Sequence, residues 1–295
     1  MAISKAVLIT GCSSGIGRAT AGRLARAGWT VYATARRPET IGDLARLGCK
    51  TLALDVTDEP SLRAAVAAIE AAEGAVGVLV NNAGYSQSGA LETVPLERIR
   101  RQFETNVFGL LRLSQLVLPG MRRQRWGRIV NLSSMGGRFT LPGAGAYHAS
   151  KYAVEALSDA LRFEVGGFGV DVVVVEPGLI RSEFAEAATL AMEGVDDGPY
   201  ADFQASVADT TKRAYQRGLL ARLGGEPRDV ARVIERAIVA RRPKTRYLVT
   251  PSARILVGLR AILPDRTWDA FLRRSYPEPG RSARAASAGR ARGAG

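Results

Sequence analysis

The chain has 295 residues, 46% of them hydrophobic, two cysteines, one histidine and a formal net charge of +13. That length and apolar content suit one large α/β domain and exclude a disordered chain. Cys12 and Cys49 lack metal-ligand spacing, and the positive charge forms no basic stripe with interleaved aromatics, so neither a metal nor nucleic acid is expected.

Apolar, strand-like runs alternate with helical ones along the chain. The pattern predicts a strand at Ala6–Thr10, a Gly-rich turn, and a helix over Gly15–Ala27. Strands follow at Thr30–Ala35, Thr51–Leu54 and Val78–Val80, with a helix at Pro60–Glu73. Beyond them come a helix at Leu96–Arg122, a strand at Arg128–Leu132 and a helix at His148–Val165. The run Val170–Val175 is nearly all β-branched and apolar, as in a central strand covered on both faces. A helix at Arg228–Arg241 and a strand at Tyr247–Val249 complete the series. Such alternation predicts a doubly wound parallel sheet of about seven strands with right-handed crossovers. Residues 1–250 then form one dinucleotide-binding catalytic domain.

Two stretches break the rhythm. Ile180–Gly225 is a long insertion rich in apolar side chains, among them Leu190, Met192, Val195, Tyr215, Leu219 and Leu220, and is expected to be a substrate lid. Residues 251–276 are apolar and basic and are expected to fold as a C-terminal flap, in preference to lying on a membrane surface. The remainder, 277–295, is rich in Gly, Ala, Ser and Arg and reads as disordered. The N-terminus leaves no room for a signal peptide, and no apolar run has membrane-spanning length, so a cytoplasmic protein without stable membrane insertion is expected.

The chemistry concentrates in three places. In Tyr147-His-Ala-Ser-Lys151 the tyrosine and lysine stand at i and i+4, on one helix face, where an ammonium would favour the phenolate. Ser134 precedes them and is placed to hydrogen-bond the same substrate oxygen. The turn Thr10-Gly11-Cys12-Ser13-Ser14-Gly15-Ile16-Gly17 follows a strand and opens a helix, a site for a pyrophosphate. At the end of the second strand, Ala35-Arg36-Arg37 has no acid to bind a ribose hydroxyl, and the guanidinium groups suit a 2′-phosphate. NADP(H), rather than NAD(H), is the expected cofactor. His148 invites a Ser-His-Asp triad, but no Gly-x-Ser-x-Gly elbow accompanies it.

These motifs, with Asn81-Asn82-Ala83-Gly84, Asn106, the run Arg128–Ser134 and Pro177-Gly178, resemble the short-chain dehydrogenase/reductase family from Lys5 to about Val249. The stretch from Asn82 to Pro142 is similar to its hydroxysteroid and retinol dehydrogenase-like branch. The resemblance implies an oxidoreductase acting on a carbonyl or alcohol, with Tyr147 as general acid or base, Lys151 also on the cofactor ribose, Ser134 polarising the carbonyl and Asn106 anchoring a water relay. It implies cofactor contacts at Gly11, Ser13, Ser14, Gly15, Ile16, Gly17, Asp55, Val56, Asn82, Ala83, Gly84, Pro177, Gly178 and Ser182. Ser182 stands where the family often has threonine and keeps the hydroxyl. Ser133 is one residue off the family spacing. Met135, Leu141 and Phe184 are expected near a lipophilic small-molecule substrate. The helices 96–122 and 148–165 resemble those that pair in family dimers, so a homo-oligomer (dimer or tetramer) is expected. A non-catalytic NADP(H) sensor on the same fold is the alternative.

Overall fold

The computed structural model describes residues 3–184, 198–216 and 221–280. Its centre is a seven-stranded sheet, wholly parallel: β1 (Ala6–Ile9), β2 (Thr30–Ala35), β3 (Lys50–Ala53), β4 (Val78–Asn81), β5 (Gly127–Leu132), β6 (Val170–Glu176) and β7 (Arg246–Leu248). The spatial order is β3-β2-β1-β4-β5-β6-β7. The helices are α1 (Gly15–Arg26), α2 (Glu59–Glu73), α3 (Leu96–Phe103), α4 (Gly109–Arg123), α5 (Gly145–Gly166), α6 (Ala201–Gln216), α7 (Pro227–Val239), α8 (Pro251–Ile262) and α9 (Asp265–Arg273).

Alternate strand residues face opposite layers, and both layers are apolar. Val7, Ile9, Val31, Val78 and Val80 pack against Leu24 of α1 and Ile234 and Ile238 of α7. Ala6, Leu8, Tyr32, Leu79 and Ile129 pack against α2, α4 and α5 through Leu62, Val66, Leu113, Val117 and Val165. The chain leaves β1 toward β2 on one side and reaches β4 on the other. A crevice therefore opens beyond their carboxyl ends, the usual ligand position in such sheets.

Several elements differ from the expectation. Pro38–Leu47 forms 3₁₀ turns that bury Ile41 and Leu44. The long helix expected at 96–122 is interrupted by a π turn, Glu104–Phe108, between α3 and α4. α5 starts at Gly145, so Tyr147 lies in its first turn. The insertion leaves and rejoins the sheet at one point: Ile180 and Gly225 form a parallel bridge, and Arg181 N–H donates to the Gly225 carbonyl at 2.9 Å. It carries α6; Leu190, Met192, Val195, Leu219 and Leu220 lie outside the described residues. Residues 251–276 form α8 and α9 around Pro264, with Trp268 buried edge-on against Phe139 at a centroid separation of 5.5 Å. Residues 281–295 of the expected tail also lie outside the description. No helix among the described residues is long and apolar enough to cross a membrane.

A buried polar strap ties the sheet to the helices that carry the site. Asn81 Nδ2 donates to Asn131 Oδ1 at 2.9 Å and to Ser114 Oγ of α4 at 3.1 Å. Asn131 Nδ2 donates to Ser158 Oγ of α5 at 2.9 Å. Asn131→Ala leaves part of this strap unpaired, at a cost of about 2 kcal/mol. We expect its melting temperature to fall by about 4–8 °C in a thermal unfolding scan; an unchanged transition would show that the strap contributes nothing.

Candidate active site

The Gly-rich turn is held from below by β4. Thr10 Oγ1 accepts from the Asn82 and Ala83 amides at 3.0 and 2.9 Å, and Asn82 Nδ2 donates to the Thr10 and Gly11 carbonyls at 2.9 and 3.0 Å. Gly11 and Gly15 have φ of +70° and +56°, the left-handed region where a side chain is strained. Ser14 caps α1 through its backbone conformation alone, leaving its hydroxyl unspent. Gly17 faces away from the cleft: a Cβ there would stand 2.3 Å from the Gly11 carbonyl oxygen. Only glycine lets α1 pack this closely on the turn, and Gly17 itself does not line the cleft.

A cleft of about 1040 Å³ opens above this turn and runs along the carboxyl edge of the sheet. Gly11, Ser13, Ser14, Gly15, Ile16, Asn82, Ala83, Gly84, Pro177, Gly178 and Ser182 line it, with Arg36, Arg37, Asp55 and Val56 at one end. Arg36 and Arg37 are exposed and form no ion pair among the described residues. Asp55 Oδ1 accepts from the Thr57 amide and hydroxyl, closing a local turn, whereas the cap of α2 is Asp58. Arg98 and Arg101 of α3 also reach the cleft; the sequence does not announce them, because only folding brings α3 to its rim.

At the other end stand Ser134, Tyr147 and Lys151, with Met135, Leu141 and Phe184 around them. Ser134 caps a 3₁₀ turn, accepting from Gly136 N–H at 3.1 Å, and its hydroxyl stands beside the Tyr147 phenol, whose ionisation it favours. Ser133, the rival, is buried, and its hydroxyl has no hydrogen-bond partner among the described residues. The Phe184 and Tyr147 rings lie 5.4 Å apart. Lys151 Nζ donates to the Leu132 carbonyl at 2.8 Å and lies 5.7 Å from the centroid of the Tyr147 ring.

Burial dominates the electrostatics here. It pushes the Tyr147 phenol above its ordinary value, against the lowering bond from Ser134. It brings the Lys151 ammonium down to about 8, opposed by the charge of Glu155 one helical turn on. The Lys151 ammonium donates to a backbone carbonyl, and burial dominates at the Tyr147 phenol. Behind Lys151, Glu155 accepts from Arg246 Nε at 2.9 Å, and Arg138 pairs with the buried Glu176 at 3.0 Å.

Asn106 sits in the π turn and does not line the cleft. Its side chain accepts from Tyr85 N–H at 3.0 Å and donates to the Tyr85 carbonyl and Ser150 Oγ at 2.9 and 3.0 Å. It and Lys151 flank Gly84, where a Cβ would lie 3.0 Å from Asn106 Oδ1 and 3.7 Å from Lys151 Nζ. The His148 imidazole accepts from the Leu141 amide at 3.1 Å and is kept neutral by burial, down to about 4. It pins the 134–141 loop to α5 and has no part in a hydrolytic triad.

The short chain dehydrogenase model matches residues 5–193. A 3-ketodihydrosphingosine reductase of Bacteroides thetaiotaomicron is 37% identical, over 92% of this chain and 97% of its own. An NADPH-dependent 3-dehydrocapnine reductase of Ornithobacterium rhinotracheale is 34% identical over 89% of this chain and 94% of its own. Rat estradiol 17-beta-dehydrogenase 1 is 37% identical over 84% of this chain and 74% of its own. Among solved structures, a short-chain dehydrogenase from Streptomyces avermitilis superposes with a TM-score of 0.74 at 35% identity, covering 92% of this chain and 97% of its own. A serine dehydrogenase complexed with NADP+ gives 0.72 at 27% identity, covering 83% and 94%. The chain belongs to the short-chain dehydrogenase family, as an oxidoreductase of the hydroxysteroid dehydrogenase-like kind.

The site makes a direct prediction about Lys151. In protein with labelled lysine side chains, followed by NMR, its ammonium should titrate near 8, below the ordinary lysine value. Glu155→Gln removes the opposing charge and should lower that value further. Lys151 titrating at or above the ordinary lysine value would contradict the burial described here.

Proposed function

We propose that the protein is an NADPH-dependent reductase of ketones on lipophilic small molecules. The observation that carries the cofactor choice is the absence of an acid at the end of β2, where Ala35 is followed by Arg36 and Arg37 at the rim of the cleft. A residue that accepts ribose hydroxyls is missing, and planar cations suited to a phosphate stand in its place. The cradle fits such a dinucleotide: left-handed glycines, the N-terminus of α1 and an unspent Ser14 hydroxyl converge below the cleft.

NADPH supplies the hydride. The chain does the rest. Ser134 and Tyr147 hold the substrate oxygen, and Tyr147, protonated at neutral pH by its burial, donates the proton as the alcohol forms. Lys151 holds its charge beside them and binds the cofactor ribose; Asn106, through Tyr85 and Ser150, fixes the loop that faces Lys151. Met135, Leu141 and Phe184 give the apolar contacts. The insertion acts as a lid over this end, and α8 and α9 as a flap. Relatives named for reducing 3-ketodihydrosphingosine and 3-dehydrocapnine support reduction of a ketone. A homo-oligomer built on α4 and α5 accompanies this reading; Phe108, Tyr152 and Phe163 are exposed large side chains there.

A non-catalytic NADP(H) sensor would need the Arg36 end of the cleft alone, and the grouping of Ser134, Tyr147 and Lys151 in the cleft argues against it. NADPH should bind more tightly than NADH by about 1.5–3 kcal/mol, the worth of hydrogen bonds to a charged group. Arg36→Ala should remove most of that gap in a fluorescence titration. Equal affinities for the two cofactors in the unmodified protein would refute the assignment.

A further inference from the structure

The substrate end of the cleft has two unlike walls. One is apolar, built by Met135, Phe139 and Leu141. The other presents hydroxyls, from Ser86 and Ser88 on the loop after β4 and from Tyr215 on α6. The serine hydroxyls lie 3.3 Å apart and pair with each other. Tyr215 has no such partner: its ring packs beside the Phe139 cluster, and its hydroxyl makes no hydrogen bond among the described residues.

Tyr215 is partly buried and lines the cleft, so its unpaired hydroxyl is open to a polar group of a bound ligand. Burial holds this one up at about 12, so at neutral pH it is a donor. Tyr215 packs with Met135, Phe139 and Leu141 and lines the same cleft as Ser134 and Tyr147, so a group bound to Tyr215 shares that end with the oxygen they hold.

We propose that Tyr215 is a second anchor for the substrate, hydrogen-bonding an oxygen or nitrogen substituent on a carbon next to the reacting carbonyl. The substrate class is then an amphiphilic ketone: a carbonyl, an adjacent polar substituent, and an apolar chain against Met135, Phe139 and Leu141. The assignment rests on the carbonyl-reductase reading of the site. A site built to pair a polar group discriminates against the analogue that lacks it, because its own donor is then left unpaired.

The test uses the full chain with NADPH and three long-chain ketones of equal length. One has a hydroxyl on the carbon beside the carbonyl, one an amino group there, and one neither. At least one substituted ketone should be favoured in kcat/KM by about tenfold or more, the worth of one such hydrogen bond. Tyr215→Phe keeps the ring and its packing and should bring the ratio close to one. Calorimetric binding of the same ketones to the NADP+-loaded protein should show the same preference and the same collapse. Whichever substituent is favoured identifies the group that pairs with the phenol, a hydroxyl accepting from it or an ammonium donating to its oxygen. Tyr147→Phe should slow turnover of every ketone on the order of a hundredfold yet leave the binding preference intact. Slowed turnover without that preference would overturn the Tyr215 assignment alone. Turnover undiminished in Tyr147→Phe would overturn the reading of the catalytic end, while the binding comparison still judges Tyr215. No preference in the unmodified protein, or one that survives Tyr215→Phe, would refute the second anchor.

Discussion

An ammonium buried in the wall of a cleft is costly, and Lys151 is buried together with the phenol it accompanies. Its position is paid for by a short list of contacts: the Leu132 carbonyl at 2.8 Å, the charge of Glu155 behind it, and the bare backbone of Gly84 in front. Each contact constrains a different element. Leu132 is the last residue of β5, so the strand must end there with an accessible carbonyl. Glu155 fixes the register of α5 by its pair with Arg246, beside β6. Gly84 holds the loop after β4 close, and Asn106 locks that loop from behind. The strap Asn81–Asn131–Ser158 then holds the same strands and the same helix one layer deeper.

The remainder of the cleft follows from the order of the strands. Because β1 lies between β2 and β4, its Gly-rich turn faces both the arginines after β2 and the Asn82-Ala83-Gly84 segment after β4. Cations at one end and a protonated phenol at the other are separated by a groove lined mainly by small residues. The insertion and α8–α9 pack beside the phenol end, where Phe139, Trp268 and Tyr215 share one apolar cluster. The charge of the cofactor end and the apolar character of the substrate end therefore arise from different parts of the chain.

Much of this was legible in the sequence. Strand residues buried on both faces read as apolar runs, and the motif glycines sit at strand-to-helix turns, so the parallel sheet, the cleft and the grouping of Ser134, Tyr147 and Lys151 could all be anticipated. Other features depended on packing between distant segments. Pro38–Leu47 carries Gly42 and lacks a long helical period, and only burial of Ile41 and Leu44 orders it. The π turn at Glu104–Phe108 has no sequence signature apart from the asparagine it displaces. Gly17 resembled a cradle glycine by spacing, but it packs inward on Gly11. Tyr215 read as one apolar residue among many, because nothing in the sequence brings α6 across from Tyr147. The upward push of burial on Tyr147 is likewise not legible, because i,i+4 spacing places two side chains together but says nothing about how far water is excluded from both.

The central claim is hydride transfer to a carbonyl with a proton from Tyr147. NADPH carrying deuterium on the reactive ring carbon, incubated with the protein and a long-chain ketone, should give an alcohol with deuterium on the former carbonyl carbon. Tyr147→Phe should slow that transfer on the order of a hundredfold, the usual range for a general acid. Cofactor that binds but gives up no deuterium to any ketone, or transfer undiminished in Tyr147→Phe, would contradict the account.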